Sequence, residues 1–340
     1  MIDLNSPISF QIGNGTDLDF NTIIGSQEFS GGSTPLSGYV VESVGIGSVQ
    51  PIGYTDPKAT ADGIDVAEAY AGRRTVSMLV SVYGQTRQDL YDKMQQLVNM
   101  MRFMPRRYVL ENGFRQLKFM LITGDTTQFP ATVDHAAGYV EAFFLARPLQ
   151  IPATEASSSQ ISGNDSLGYS TKMRLDFLLK YPLKYAQDLD VDSTIPINNT
   201  DKYLFNHGVA VADAEVLIEA TPGTSQTTDV TIVFSLNGVP ITLKVTKTLG
   251  IDSTLTRSIR IDYKNQIVYE RETDNTSGAT VENIAQNLIA LDSGATFGTF
   301  ESAKDYPIGI PVKVSITNTN TTAAITTGYK VTVSWREAWY

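Results

Sequence analysis

His135 and His207 are the only imidazoles in this 340-residue chain, and it contains no cysteine. That composition excludes thiolate nucleophiles, a disulfide framework and Cys-based zinc sites. Acid–base or Ser-His-Asp chemistry would have to be built on one of the two histidines, using neighbours such as Asp134 or Asp201. Neither histidine lies in a nucleophile-elbow sequence, and Asn206-His207-Gly208 reads as a turn. Asp188, Asp190 and Asp192 mimic the start of a calcium loop, but Ser193 stands at its sixth position and Asn199 at its twelfth. The sharp turn and the bidentate ligand are therefore both missing. Gly13-Asn14-Gly15 and Gly45-Ile46-Gly47 lack the third glycine and following helix of a dinucleotide fingerprint, and no phosphate-loop sequence occurs. Asp62, Asp65 and Glu68 read as a solvated face. Paired carboxylates for glycoside hydrolysis are defined by their separation in space, which the sequence leaves open. The residues thus point to no catalytic group, no cofactor and no metal site.

Binding chemistry is better supplied. Tyr263, Tyr269, Trp335 and Trp339, with Tyr340, offer flat apolar faces and polar tips on which a sugar could stack. The plainer expectation is that they anchor a core or an interface, because the terminal run Val331–Arg336 reads as a strand completing a sheet or an assembly contact. Hydrophobic residues make up 42% of the chain and charged ones 18%, which excludes disorder as the main state. No run of 18 apolar residues occurs and the first residues lack a basic and apolar leader, so neither membrane insertion nor secretion is expected. A net charge of −10 argues against a dedicated duplex-DNA binder.

The charge is uneven. Residues 1–70 carry nine acids and one base, whereas residues 71–150 carry ten bases and six acids. Neighbouring segments of opposite sign suit head-to-tail contacts between copies, although intermixing on one surface is the plainer outcome. The absence of cysteine fits assembly in a reducing cytoplasm.

The elements that must position these residues are mostly strands. Gly31–Pro35 and Tyr54–Lys58 carry turn signals within a β-rich start. Val76, Met78, Val80 and Val82 alternate with polar residues over Thr75–Tyr83, the period of a half-buried strand. Gly84 breaks it, and Thr86-Arg87-Gln88-Asp89 has capping-box spacing ahead of a helix over about 88–103, stopped by Pro105. Leu90, Met94, Leu97, Val98 and Met101 share one face of that helix, and the methionines, including Met100 and Met104, read as core filling. Tyr139–Leu149 and Met173–Leu183 echo each other as strands ending in Pro-Leu, with a Ser/Gly-rich loop over Ala153–Gly168 between them. From Tyr203 onward short strands prevail, with Asn237-Gly238 as a hairpin turn and Lys264-Asn265 as a second. One further helix is expected over Val281, Ile284, Leu288 and Leu291. The domains read as 1–186, a linker over 187–202, and an antiparallel sandwich over 203–340.

The order of these motifs resembles the distal tail protein (Dit) family of long-tailed, non-contractile bacteriophages. The likeness rests on Ala71–Met78, Gly84 and the Leu90–Met101 helix, then Phe143–Pro148 and the strand ending at Pro182. It continues with Leu204–Gly208, the Asn237-Gly238 hairpin, Ile259–Asp262 and Lys330–Trp339. The resemblance implies a mainly β fold with one or two helices: an N-terminal belt-type domain and a C-terminal galectin-like β-sandwich. It further implies a homo-hexameric ring at the distal end of the tail tube, joined to a tip or baseplate hub. Tape-measure protein and then DNA, only in transit, would pass through its lumen. The implied location is the virion tail tip, with assembly in the host cytoplasm and no enzymatic activity. On this reading Val76, Met78, Val80, Val82, Leu90, Met94, Leu97 and Met101 supply the ring framework. A wall that repels phosphate lets DNA slide, so Asp17, Asp19, Glu28 and Glu42 are the expected lumen acids. The alternative is an adhesin whose sandwich binds a host-surface glycan through Tyr263, Tyr269, Trp335 and Trp339. A glycan-degrading tail enzyme is the third reading.

Overall fold

The computed structural model describes residues 1–11, 17–25, 34–48, 51–52, 55–57, 64–66, 70–71, 74–101, 114–133, 135–150, 161–164, 167–221, 230–245, 250–251, 255–284, 289–291, 297–302 and 306–339. They form two units, Met1–Gln187 and Asp188–Tyr340. Both are mainly β, as the sequence patterning predicts.

The first unit contains β1 (Ile8–Gln11), β2 (Asp17–Phe20), β3 (Gly38–Ile46), β4 (Pro51–Ile52), β5 (Thr55–Pro57), β6 (Ile64–Val66), β7 (Tyr70–Ala71) and β8 (Thr75–Gly84). After α1 (Arg87–Met101) come β9 (Arg115–Ile122), β10 (Tyr139–Pro148), β11 (Ser162–Asn164), β12 (Gly168–Leu179) and β13 (Lys184–Ala186). The sheet runs β2-β1-β9-β10-β12-β8-β3. Past β2 the chain folds back on β3, with Thr22 N donating to Tyr39 O at 3.0 Å and Ile24 N to Ser37 O at 2.9 Å. The two ends of the sheet are thereby joined along the first half of β3. Phe10, Phe20, Val76, Val80, Phe144 and Phe177 fill the inner face. Within Tyr54–Lys58, expected as a turn, Thr55–Pro57 forms β5 and pairs with β6, while β4 pairs with β7. Pro57 is tolerated because it ends a three-residue strand of a two-stranded ribbon, where few ladder bonds are required.

The helix begins as its capping box dictates. Asp89 N donates to Thr86 Oγ1 at 3.1 Å, and the Asp89 carboxylate accepts from Gln85 N at 2.8 Å. Leu90, Met94, Leu97, Val98 and Met101 are all buried. Pro105 and Met104 lie outside the described residues. The two strands ending in Pro-Leu prove to be paired with each other, Ala146 opposite Leu179 and Pro148 opposite Phe177. Of the expected Ala153–Gly168 loop, Ser162–Asn164 is a strand that hairpins onto β12.

The second unit contains β14 (Asp190–Asp192), β15 (Lys202–Leu204), β16 (Asp213–Ala220), β17 (Val230–Leu236), β18 (Val239–Val245), β19 (Gly250–Ile251) and β20 (Leu255–Asp262). It continues with β21 (Ile267–Asp274), β22 (Thr280–Ile284), β23 (Ile289–Leu291), β24 (Ile310–Asn318), β25 (Tyr329–Arg336) and β26 (Ala338–Trp339). One antiparallel sheet runs β14-β25-β16-β20-β21-β22 and the other β15-β24-β17-β18-β23. One core of alternating inward residues, among them Val216, Ile218, Ile232, Phe234, Ile241, Val314 and Val331, lies between them. Asn237 and Gly238 both have positive φ, 52° and 77°, the hairpin geometry that their sequence demands. Residues read as linker join this unit, since β14 pairs with β25 and Ile195 and Ile197 enter the core.

The helix expected over 281–291 is overturned. Thr280–Ile284 pairs with β21 and Ile289–Leu291 with β18. The apolar spacing fits a helix, but Thr280, Val281 and Ile284 are β-branched, and each stretch finds a strand to pair with. Ladder bonds to an existing strand outweigh the weak periodicity of so short a window.

Candidate functional site

The eight framework residues lie together inside the first unit. Val76, Met78, Val80 and Val82 point from β8, and Leu90, Met94, Leu97 and Met101 from α1; none is more than 3% exposed. Strand and helix meet so closely at Gly84 that a Cβ there would lie 2.3 Å from Leu90 N. These side chains are interior, packed between β8 and α1.

The opposite face of the sheet carries the acids. On β2, Leu18 and Phe20 are buried, so Asp17 and Asp19 point outward by strand alternation. Glu42 occupies a bulge in β3, between Val41 opposite Val80 and Ser43 opposite Leu79. The extra residue aims its carboxylate along the outer face. Among the described residues, Asp17 and Glu42 have lysine partners: Lys118 Nζ lies 2.7 Å from Asp17, and Lys172 Nζ lies 2.7 Å from Glu42. Bonds from Lys172 and Ser81 hold the Glu42 carboxyl below its ordinary range. Asp19 is exposed, opposite Ser9. Glu28 lies outside the described residues.

A second network on this face was not legible in the sequence. Asp176, buried on β12, accepts from Ser77 Oγ at 2.5 Å, Gln150 Nε2 at 2.7 Å and Arg174 Nε at 2.9 Å. Burial raises its pKa, and the bonds from Ser77, Arg174 and Gln150 outweigh that, leaving it below the usual carboxylate range. Only the cross-strand register, which sets Ser77 opposite Asp176, brings these residues together. Among the described residues, Asp17, Glu42 and Asp176 on this face are paired, and Lys172 and Arg174 are the most exposed of their partners.

A groove of about 570 Å³ opens on the same unit, between the N-terminal residues Asp3–Pro7, the outer side chains of β9 and β10, and His135. Ser6 Oγ donates to Asp3 Oδ2 at 2.6 Å, while His135 Nδ1 lies 3.3 Å from Ala136 O. The Ser6 hydroxyl is thus directed to the Asp3 carboxylate, and the His135 ring to a backbone carbonyl instead of to that hydroxyl.

In the second unit, the expected sugar-stacking aromatics are mostly interior. Tyr263 lies between Phe234 and Phe297, and burial raises its hydroxyl pKa. Trp335 packs on Phe300 at 5.0 Å, and both Trp335 and Trp339 are 7% exposed. Tyr269 is half-buried beneath Arg260, which stands 4.5 Å over its ring and pairs with Glu215 and Glu282. These four form no shared exposed platform, because strand alternation and the end of the sandwich turn three of them inward. Among the described residues of this unit the exposed aromatics are Tyr203 and Phe205, the latter parallel to the His207 ring at 6.0 Å. At this end of the sandwich Glu337 Oε1 accepts the His207 N–H at 3.1 Å. Burial, then the like charge of Asp190, pushes Glu337 up to about 7.

The whole-chain architecture has counterparts among solved structures. The crystal structure of the SPP1 Dit (gp 19.1) protein, described as a paradigm of the hub adsorption apparatus in phages infecting Gram-positive bacteria, superposes with a TM-score of 0.51. The match spans 89% of this chain and 94% of that one at 12% identity. This chain has the distal tail protein fold. A chain of the phage P2 baseplate, in its activated conformation with Ca, aligns over 96% of this chain and 97% of that one at 10% identity, with a TM-score of only 0.36. A fructofuranosidase from Schwanniomyces occidentalis reaches a TM-score of 0.21 at 9% identity, over 90% of this chain and 62% of that one. No protein-family model and no curated protein sequence matches the chain. The fold likeness at 12% identity agrees with the resemblance read from the order of the sequence motifs.

Proposed function

We propose that this chain is a structural, non-enzymatic component of the distal end of a long, non-contractile phage tail. Six copies close into a ring that joins the tail tube to the tip or baseplate hub, with tape-measure protein and then DNA passing through the centre. The observation that carries the reading is the fold likeness to the SPP1 Dit protein over 89% of the chain. Two features of the first unit favour it. β3 ends the sheet path, and from Glu42 to Ile46 its outer edge pairs with no described strand, which suits addition of a strand from a neighbouring copy. The outer face of the sheet, with Asp19 and the lysine-paired Asp17 and Glu42, suits a channel wall. Paired charges offer passing phosphates no net attraction, so DNA is not retained. The cell compartment of assembly, by this reading, is the host cytoplasm.

Electron microscopy of the purified protein tests the proposal. Six 37.1 kDa chains give a particle of about 223 kDa with a central hole. A monomer that stays monomeric even when mixed with tail tube and hub proteins would sink it.

A further inference from the structure

At one end of the sandwich the last residues of the chain are clamped onto the Asn206–Gly208 turn. Asn206 is fully buried; its amide donates to Ala210 O at 2.9 Å and Phe300 O at 3.2 Å, and its Oδ1 accepts from Gly208 N at 3.1 Å. Gly208 is required by close approach, since a Cβ would meet Ala338 O at 2.4 Å and Ala338 N at 2.6 Å. Ala210 N donates to Ala338 O at 3.0 Å, and Ser302 Oγ to Gly208 O at 2.7 Å. The turn is thus rigid on every side but one. There its His207 N–H meets Glu337, which is only 4% exposed and has no ion pair among the described residues.

The charged groups around that carboxyl are unbalanced. Asp190, on β14 opposite Trp335, acts on Glu337 as a like charge. Asp188 adds to the negative potential at Asp190, and His207, when protonated, offsets it. Arg336 is engaged electrostatically with Asp188. We propose that Glu337 and Asp190 form a proton-operated latch, which clamps the Glu337–Trp339 segment to the Asn206–Gly208 turn while Glu337 is protonated and loosens it when both carboxylates are ionised.

The physics is that of a buried charge without a counter-charge. A protonated Glu337 can stay where it is and accept the His207 N–H. An ionised one, beside Asp190, gains more from water than from a single backbone donor. Glu337 separates β25 from β26, and the β16–β25 ladder ends at Arg336, just before it. With its carboxyl pushed up to about 7, the latch works across neutral pH. The sign follows: a folded pKa raised above the ordinary 4.5 means the clamp is favoured at low pH and weakens as pH climbs towards 7 and beyond.

The chain carries its own reporter, because its only two tryptophans, Trp335 and Trp339, flank Glu337. Tryptophan emission of the full-length protein, titrated from about pH 5 to about pH 9, should move to longer wavelength with one midpoint near 7. Glu337→Gln keeps a carbonyl for the His207 N–H and should hold the acid-form emission throughout. Asp190→Asn should move the midpoint to lower pH, and His207→Asn should leave a transition in place. Exchange protection of the Ala210 amide, corrected for intrinsic pH effects, should fall at least about tenfold across the midpoint in the wild type and not in Glu337→Gln. A flat wild-type titration, a transition that survives in Glu337→Gln, or one abolished by His207→Asn alone would each overturn the latch.

Discussion

Replacing Gly84 by alanine should destabilise the first unit by about 3 kcal/mol. A Cβ at this position would stand 2.3 Å from Leu90 N, 2.6 Å from its Cα and 2.8 Å from its Cβ, whereas ordinary contact begins at 3.4 Å. The first turn of α1 must therefore retreat from the end of β8 by about 1 Å. Two of the three atoms are backbone, so no rotamer change relieves the clash. Retreat loosens the seam where Leu90, Met94, Leu97 and Met101 meet Val76, Met78, Val80 and Val82. Overpacking costs about 1–3 kcal/mol, and the loosened seam places this case at the upper end. The entropy that alanine removes from the unfolded chain returns less than about 1 kcal/mol. Urea unfolding followed by far-UV circular dichroism measures the loss as a lowered midpoint at unchanged slope. Tryptophan emission should keep its transition, because both tryptophans belong to the second unit. Gly124→Ala is the comparison: with φ of +77° and nothing within 4 Å, it should lose only about 1–2 kcal/mol of backbone strain energy. If Gly84→Ala proves no more harmful than Gly124→Ala, the close-approach reasoning is wrong.

Asn206→Asp should cost about 3–5 kcal/mol in the second unit, seen as a lowered tryptophan-monitored urea midpoint, since the near-isosteric acid faces the Ala210 and Phe300 carbonyls without donors to give them. Asp176→Asn should cost about 2 kcal/mol at neutral pH. Because the Asp176 pKa is lowered on folding, its contribution is present above the ordinary carboxylate range and lost as pH falls through its folded value; acid titrations of stability should show a shallower limb in the variant. Lys172→Met, which breaks an exposed pair with Glu42, should change stability by less than about 1 kcal/mol in the same assay. Ser43→Lys with Gly45→Lys places charge along the open edge of β3 at exposed positions; light scattering should show loss of assembly, and thermal melting an almost unchanged monomer.

Much of this architecture follows from local sequence. Alternation over Thr75–Tyr83 specifies β8 and its buried face, because a period of two admits only one register against a core. Thr86, Asp89 and the Leu90–Met101 spacing specify α1, and Asn237-Gly238 specifies a hairpin, because each is satisfied by atoms a few residues apart. What the sequence left open are the choices settled by distant partners. Val281–Leu291 has helical spacing, yet β21 and β18 claim it, since a free sheet edge supplies ladder bonds that no window of eleven residues can anticipate. Tyr263, Trp335 and Trp339 have the chemistry of a sugar platform, and only the packing of two sheets turns them inward. The acids of the first seventy residues were visible as charge, but their lysine partners lie about a hundred residues away and were not. Composition determined that this chain has little with which to catalyse. Tertiary structure decided which acids are neutralised, as on the outer face of the sheet, and that Glu337 is buried with no ion pair among the described residues; desolvation and Coulomb energy depend on distance in space, which sequence order does not record.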